Sequence, residues 1–166
     1  MRYIAFLRGV NVGGKSLLSM PMLRDALEKS GLEDVQTYIN SGNVFFTSQE
    51  VNQEKLSQQI HGVIKDEFQI DSGVVVFSKL AWEKIIKNAP GWWGNDESMK
   101  HNLLIMLRPY DMSSVVEAIG VLKPDLEHMT PGDGVLYQAM SLKLFGRTTT
   151  GKLAKSPIYK QMTVRN

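Results

Sequence analysis

Val35-Gln36-Thr37-Tyr38-Ile39-Asn40-Ser41-Gly42-Asn43-Val44-Phe45-Phe46-Thr47 is the stretch on which the fold turns. Residues 35–39 and 44–47 are rich in β-branched and aromatic side chains. The four residues between them, Asn40-Ser41-Gly42-Asn43, are types that accept tight reversal and left-handed backbone. The stretch predicts a β-hairpin. Upstream, Met20, Leu23, Ala26 and Leu27 form one apolar stripe, with Ser19 placed as N-cap, Pro21 in the first turn and Gly31 as the left-handed stop. Before that helix, residues 3–7 read as a short buried strand ended by Arg8-Gly9, followed by a polar loop over 10–19. Downstream, Leu56, Ile60, Val63, Ile64 and Phe68 recur at helical spacing, and residues 73–77 form another buried strand. The order is β-α-β-β-α-β, the split βαβ pattern of a ferredoxin-like α/β plait.

A helix over 80–89 follows, with Trp82, Ile85, Ile86 and Ala89 on one face. Pro90-Gly91-Trp92-Trp93-Gly94-Asn95 then breaks the pattern. Beyond it come a strand over 102–107 and a helix marked by Met112, Val115, Val116 and Ile119 and closed by Gly120. Strands near 122–129 and 135–140 flank Thr130-Pro131-Gly132-Asp133-Gly134, and a short helix over 157–161 precedes a strand over 162–165. The fold expected is α+β: two tandem ferredoxin-like subdomains at 1–78 and 99–166, joined by a linking helix and Trp-Trp loop at 79–98. No sequence repeat relates the halves; the duplication rests on element order.

Composition excludes several classes. The 166 residues are 43% hydrophobic and 22% charged, ordinary globular values. With no cysteine there is no disulfide framework, thiolate zinc site or cysteine nucleophile. The N-terminal apolar stretch breaks at Arg8, too early for a secretory signal. No run approaches the roughly 20 apolar residues of a membrane span. A cytoplasmic protein without a membrane partner is expected.

In a plait the first and second strands run parallel, because a right-handed crossover joins them. The loop leaving the first strand, Arg8-Gly9-Val10-Asn11-Val12-Gly13-Gly14-Lys15, therefore reaches the sheet end that carries the Asn40–Asn43 hairpin. The turn near Asp71 and Ser72 arrives there too. Gly9 to Ser16 also fits G-x-x-x-x-G-K-[ST] letter for letter. A phosphate-binding P-loop needs its helix to start at the Gly-Lys pair, however, and Pro21 would then lie inside that helix at a cost of about 3 kcal/mol. What survives is an anion-binding loop in which glycine N–H groups are supplemented by Lys15 or Arg8. The plainer alternative is that Gly13 and Gly14 serve a tight turn. The ligand-binding candidates are Arg8, Asn11, Gly13, Gly14, Lys15, Asn40, Ser41 and Asn43.

The Arg8–Lys15 stretch, with Tyr38-Ile39-Asn40-Ser41-Gly42-Asn43-Val44, Trp92-Trp93 and Thr163-Val164-Arg165-Asn166, resembles the bacterial proteins grouped as domain of unknown function 1697. The resemblance spans essentially the whole chain. It implies two tandem ferredoxin-like subdomains and no particular activity. Relatives often carry Asn at the position of Ser16, which weakens the P-loop reading further. They also continue past Arg165-Asn166 into another helix, so a terminal element over the second subdomain is expected to be lacking.

Other chemistry is sparse. His61, His101 and His128 match no metal spacing and read as solvated or satisfied rings. Asp66-Glu67 and Asp96-Glu97 read as solubility, and no serine has a nucleophile-elbow context. Trp92-Trp93 reads as a plug at the junction between the two halves in preference to a base-stacking platform. Phe6 and Phe45 lie on the central strands, where RNA-binding plaits stack bases, but they lack the basic neighbours of that motif. No cofactor or metal is expected.

Three functions stay open. The first is a binding protein for an anionic small molecule or nucleotide at residues 8–16 and 40–43, with nucleic acid as a lesser alternative. The second is a small enzyme on a phosphorylated or acylated metabolite, with Lys15, Asn11 and Asn40 as electrostatic stabilisers. The third is a structural or interaction protein. Charge adds one feature: residues 1–133 hold 13 basic and 17 acidic side chains, whereas 134–166 hold six basic and none acidic. Lys143, Arg147, Lys152 and Lys155 mark this basic segment. Neutralisation of the acidic body, within one chain or across a homodimer, is the plainer reading; a polyanion-facing surface is the sharper one.

Overall fold

The computed structural model describes residues 1–14, 16–153 and 156–166, with the side chains of Thr150 and Lys152 also outside the description. The chain is mixed α+β and divides into two units, Met1–Glu83 and Lys84–Asn166, each built on a four-stranded antiparallel sheet.

The first unit runs β1 (Arg2–Leu7), α1 (Met20–Lys29), β2 (Glu33–Tyr38), β3 (Asn43–Thr47), α2 (Gln53–Phe68) and β4 (Val74–Ser78), with strand order β2-β3-β1-β4. Alternation along β1 sends Tyr3, Ala5 and Leu7 to one face, where Leu23 and Leu27 of α1 and Leu56, Ile60 and Ile64 of α2 close the core. Each such leucine or isoleucine contributes about 2 kcal/mol by leaving water. Asn52 starts α2 by accepting the N–H groups of Glu54 and Lys55, at 2.9 and 3.1 Å. Ser19 precedes α1 without a side-chain capping bond, and Pro21 sits in its first turn. β1 is buried on its other face as well, because the Trp82 ring lies 4.7 Å from that of Phe6. Trp82 belongs to α3 (Lys79–Lys87), the helix within which the division falls.

The second unit continues with β5 (Met99–Met106), α4 (Met112–Ile119), β6 (Glu127–Pro131), β7 (Val135–Ser141), α5 (Thr149–Leu153) and β8 (Met162–Arg165), in strand order β6-β7-β5-β8. Two differences from the sequence reading stand out. The strand expected near 122–129 begins only at Glu127, because Lys123-Pro124-Asp125-Leu126 closes a turn through a 2.8 Å bond from the Leu126 N–H to the Lys123 carbonyl. His128 consequently lies second in its strand, next to Glu127. The single short helix expected over 157–161 is a 3₁₀ turn at Pro157–Gln161, and it is preceded by α5, which periodicity did not indicate. Glu127 holds α5: its buried carboxylate accepts the Thr149 N–H at 2.8 Å and 2.9 Å.

Trp92 and Trp93 pack within this unit, against His128 and against Tyr137 respectively, and the Trp93 Nε1–H donates to the Asn102 carbonyl at 3.0 Å. The Tyr137 hydroxyl donates to the carbonyl of Ile85.

Burial raises the pKa of Tyr137, and burial together with the Glu50 charge raises that of Tyr3. Tyr3 and Tyr137 should therefore ionise above the usual tyrosine range in an alkaline titration followed by tyrosinate absorbance. Because the unfolded chain releases these protons first, near pH 10, stability is retained below that value and declines as pH rises past it. Ionisation of Tyr3 and Tyr137 within the usual tyrosine range in the folded protein would contradict this.

Candidate functional site

β1 pairs antiparallel with β3, and β3 with β2, so β1 and β2 run parallel and their C-terminal ends share one edge of the first sheet. Backbone bonds fix the segments that meet there. Leu7 N–H donates to the Gly42 carbonyl and Arg8 N–H to the Gly73 carbonyl, both at 2.8 Å, and the Ser72 hydroxyl donates to the Arg8 carbonyl at 2.9 Å. His61 is drawn in behind this edge, its Nδ1 lying 2.9 Å from the Ser72 carbonyl.

Asn11 is the keystone. Its Nδ2 donates to the carbonyls of Leu18 and Asn40, each at 2.9 Å, and its Oδ1 accepts the Leu18 N–H at 2.7 Å. One carboxamide thus closes the loop on itself and pins it to the hairpin turn. Asn11 adopts φ +54°, a left-handed value that asparagine accepts more readily than most residues. Gly13 and Gly14 follow at φ +60° and +73°, left-handed values that glycine adopts without a Cβ penalty, and the Asn11 N–H donates to the Ser16 carbonyl at 3.0 Å. α1 begins only at Met20, well past the Gly-Lys pair, as the case against a P-loop requires.

Asn43 is buried, donating to the Tyr38 carbonyl at 3.0 Å and the Ser41 hydroxyl at 3.3 Å. Asn40 is exposed, and Arg8 and Ser41 are half-buried. The candidates therefore gather at one edge, but Asn11 and Asn43 spend their amides inside the protein. Lys15 lies outside the described residues.

Sequence reading overlooked the apolar rim of this edge: Val12, Leu17, Tyr38 and Ile39 are 62%, 76%, 63% and 58% exposed. Ile39 also stands at φ +51°, a genuine outlier for a β-branched side chain. Its alternation within a β-rich run masks that position.

In the basic segment, Lys143 and Arg147 are exposed and form no ion pair among the described residues. The side chain of Lys152 and all of Lys155 lie outside the description. Arg165 is largely buried, which pushes its guanidinium pKa down to about 10.

A family model described as "Protein of unknown function (DUF1697)" matches residues 1–137. The chain belongs to this family. The DUF1697 chain is also similar in structure to the conserved bacterial protein SP0830 from Streptococcus pneumoniae. The two share 31% identity with a TM-score of 0.86, over 99% of this chain and 92% of that one. No curated protein matches it. Among its described residues, no helix is long and apolar enough to cross a membrane.

Proposed function

We propose that this is a ligand-binding protein built from two ferredoxin-like plaits, and that the loop edge of the first unit takes an anionic ligand with an apolar or aromatic body, a nucleotide being the type. The plait reading is supported in each unit by strand order, β2-β3-β1-β4 and β6-β7-β5-β8, with every pairing antiparallel.

The binding reading is carried by Ile39. A left-handed β-branched residue costs about 1–2 kcal/mol, and with 58% of Ile39 exposed, burial does not offset that cost. Glycine or asparagine would turn the chain there at lower cost. An exposed apolar side chain held in strain beside Tyr38, Val12 and Leu17 is retained for contact, and strain of this kind concentrates at functional sites. Asn40, Ser41 and the Arg8 side chain supply polar and cationic groups at the same edge.

The test is a thermal-shift screen of nucleotides and phosphorylated metabolites. A ligand at a hundred times its Kd should stabilise by about 2.7 kcal/mol. Ile39→Gly should make the free protein more stable by about 0.5–1 kcal/mol, the relieved strain less the entropy of glycine, while most of the ligand's shift is lost. A screen in which nothing stabilises, or a variant that keeps the full shift, overturns the proposal.

A further inference from the structure

We infer that the first unit carries a second site, on the outer face of its sheet, for one planar aromatic ring bearing an anionic group. Cross-strand partners share a face, so the register Ile4–Phe45–Gln36 and the neighbouring pair Arg2–Thr47 place these side chains together on the face opposite α1 and α2. On β1 and β4 that face is closed: Ile4, Phe6 and Phe77 are buried, with the Trp82 ring 4.7 Å from Phe6 and 5.8 Å from Phe77.

The cover stops at β3. Phe45 keeps 41% of its surface exposed in a cavity of about 430 Å³ that it lines with Ile4, Trp82, Arg2 and Asp34. This volume lies within the range of small-molecule sites, and an apolar floor with a few polar groups at the rim is their usual composition. An aromatic floor beside an indole wall favours a flat ring, which gains offset or edge contacts on both. Phe6, which a nucleic-acid-binding plait would keep open as a second stacking platform, is covered by Trp82, so the space suits a single ring and not a strand of bases.

Charge selects the substituent. Lys79 is paired with Glu83 at 3.6 Å, and Asp34 accepts the Thr47 hydroxyl at 3.3 Å. The Arg2 guanidinium makes no hydrogen bond or ion pair among the described residues; Asp34 keeps its negative charge beside it, so what Arg2 offers at the rim is a set of unengaged cationic donors and not a net positive field. Arginine suits a carboxylate or phosphate, which it can hold with two parallel bonds. Asp34 is itself left-handed, at φ +51°, where the β2–β3 register shifts between Glu33 and Gln36. Such irregularities re-aim side chains beside binding sites.

The carboxylate and phosphate forms of this ligand are separated by probing with indole-3-acetate and adenosine monophosphate, using indole and adenosine as uncharged controls. The indole N–H signals of Trp82, Trp92 and Trp93 in a ¹H–¹⁵N spectrum report the site, with Trp82 assigned by Trp82→Phe. At least one charged probe should move the Trp82 signal and bind about tenfold tighter than its uncharged control, the scale of one charge-assisted contact. Arg2→Ala should erase that preference, Phe45→Leu should abolish the shift, and Ile39→Gly should leave it intact, which separates this site from the loop edge. A Trp82 signal unmoved by millimolar probe, equal binding of charged and uncharged forms, or wild-type behaviour of Arg2→Ala or Phe45→Leu would each overturn the inference.

Discussion

Gly42→Ala is expected to lower the stability of the first unit by about 3 kcal/mol, the sum of two independent penalties. Gly42 sits at φ +80°, where any L side chain is strained by about 1–2 kcal/mol. A Cβ there would also lie 2.7 Å from Leu7 Cβ and 2.7 Å from Val10 Cγ2. Both neighbours are buried, Leu7 at the end of β1 and Val10 in the loop above it, so neither can retreat without opening the core. Overpacking of this kind adds about 1–3 kcal/mol. Gly13→Ala is the control that separates the two terms. It has φ +60° but nothing within 4 Å of the added Cβ, so only the backbone penalty of about 1–2 kcal/mol applies. Urea unfolding of both variants reads the difference directly. Equal losses would mean that the loop and hairpin are not held as closely as the Leu7–Gly42 backbone bond indicates.

This contrast also marks where sequence reading succeeds. Asn40-Ser41-Gly42-Asn43 announces a hairpin because its chemistry is local, and the observed strands end within two residues of the expected ones. That Gly42 must be glycine is not local: the obstruction comes from Leu7 and Val10, more than thirty positions away. Asn11 repeats the lesson. Its place in a polar glycine-bearing loop suggests a ligand contact, whereas its bond to the Asn40 carbonyl depends on a crossover that brings residues 29 apart together. Topology is legible from periodicity, and from topology follows the meeting of the two loops. Whether an amide there faces a ligand or a backbone carbonyl depends on an ångström-scale geometry that no spacing rule carries. The cavity on the outer face is hidden for a related reason. Phe45 looks like any other apolar residue in a β-run, and only the extent of the Trp82 cover separates it from Phe6.

In the second unit the least legible element, α5, rests on the least expected side chain. Glu127→Ala should destabilise this unit by about 3–4 kcal/mol. The carboxylate is 1% exposed, and it accepts the Thr149 N–H with both oxygens and the Lys123 N–H at 3.3 Å. Thr149 opens a five-residue helix too short to form alone, since nucleation is unfavourable until about a dozen residues propagate it. Truncation leaves a buried N–H without its acceptor, at about 1–3 kcal/mol, and a void where the side chain stood. Leu153, at the far end of α5, is packed with Leu104, Val115 and Leu136, so release of the helix start loosens the core beneath it. Glu127→Gln keeps the shape and one acceptor oxygen and should cost about half as much, the loss of the charge-assisted part of the bond. Amide hydrogen exchange supplies the local readout: in Glu127→Ala the Thr149 and Gly151 N–H groups should lose protection ahead of β5 and β7. A loss below about 1 kcal/mol, the ordinary effect of a single substitution, with α5 still protected, would show that packing and not the carboxylate holds this helix in place.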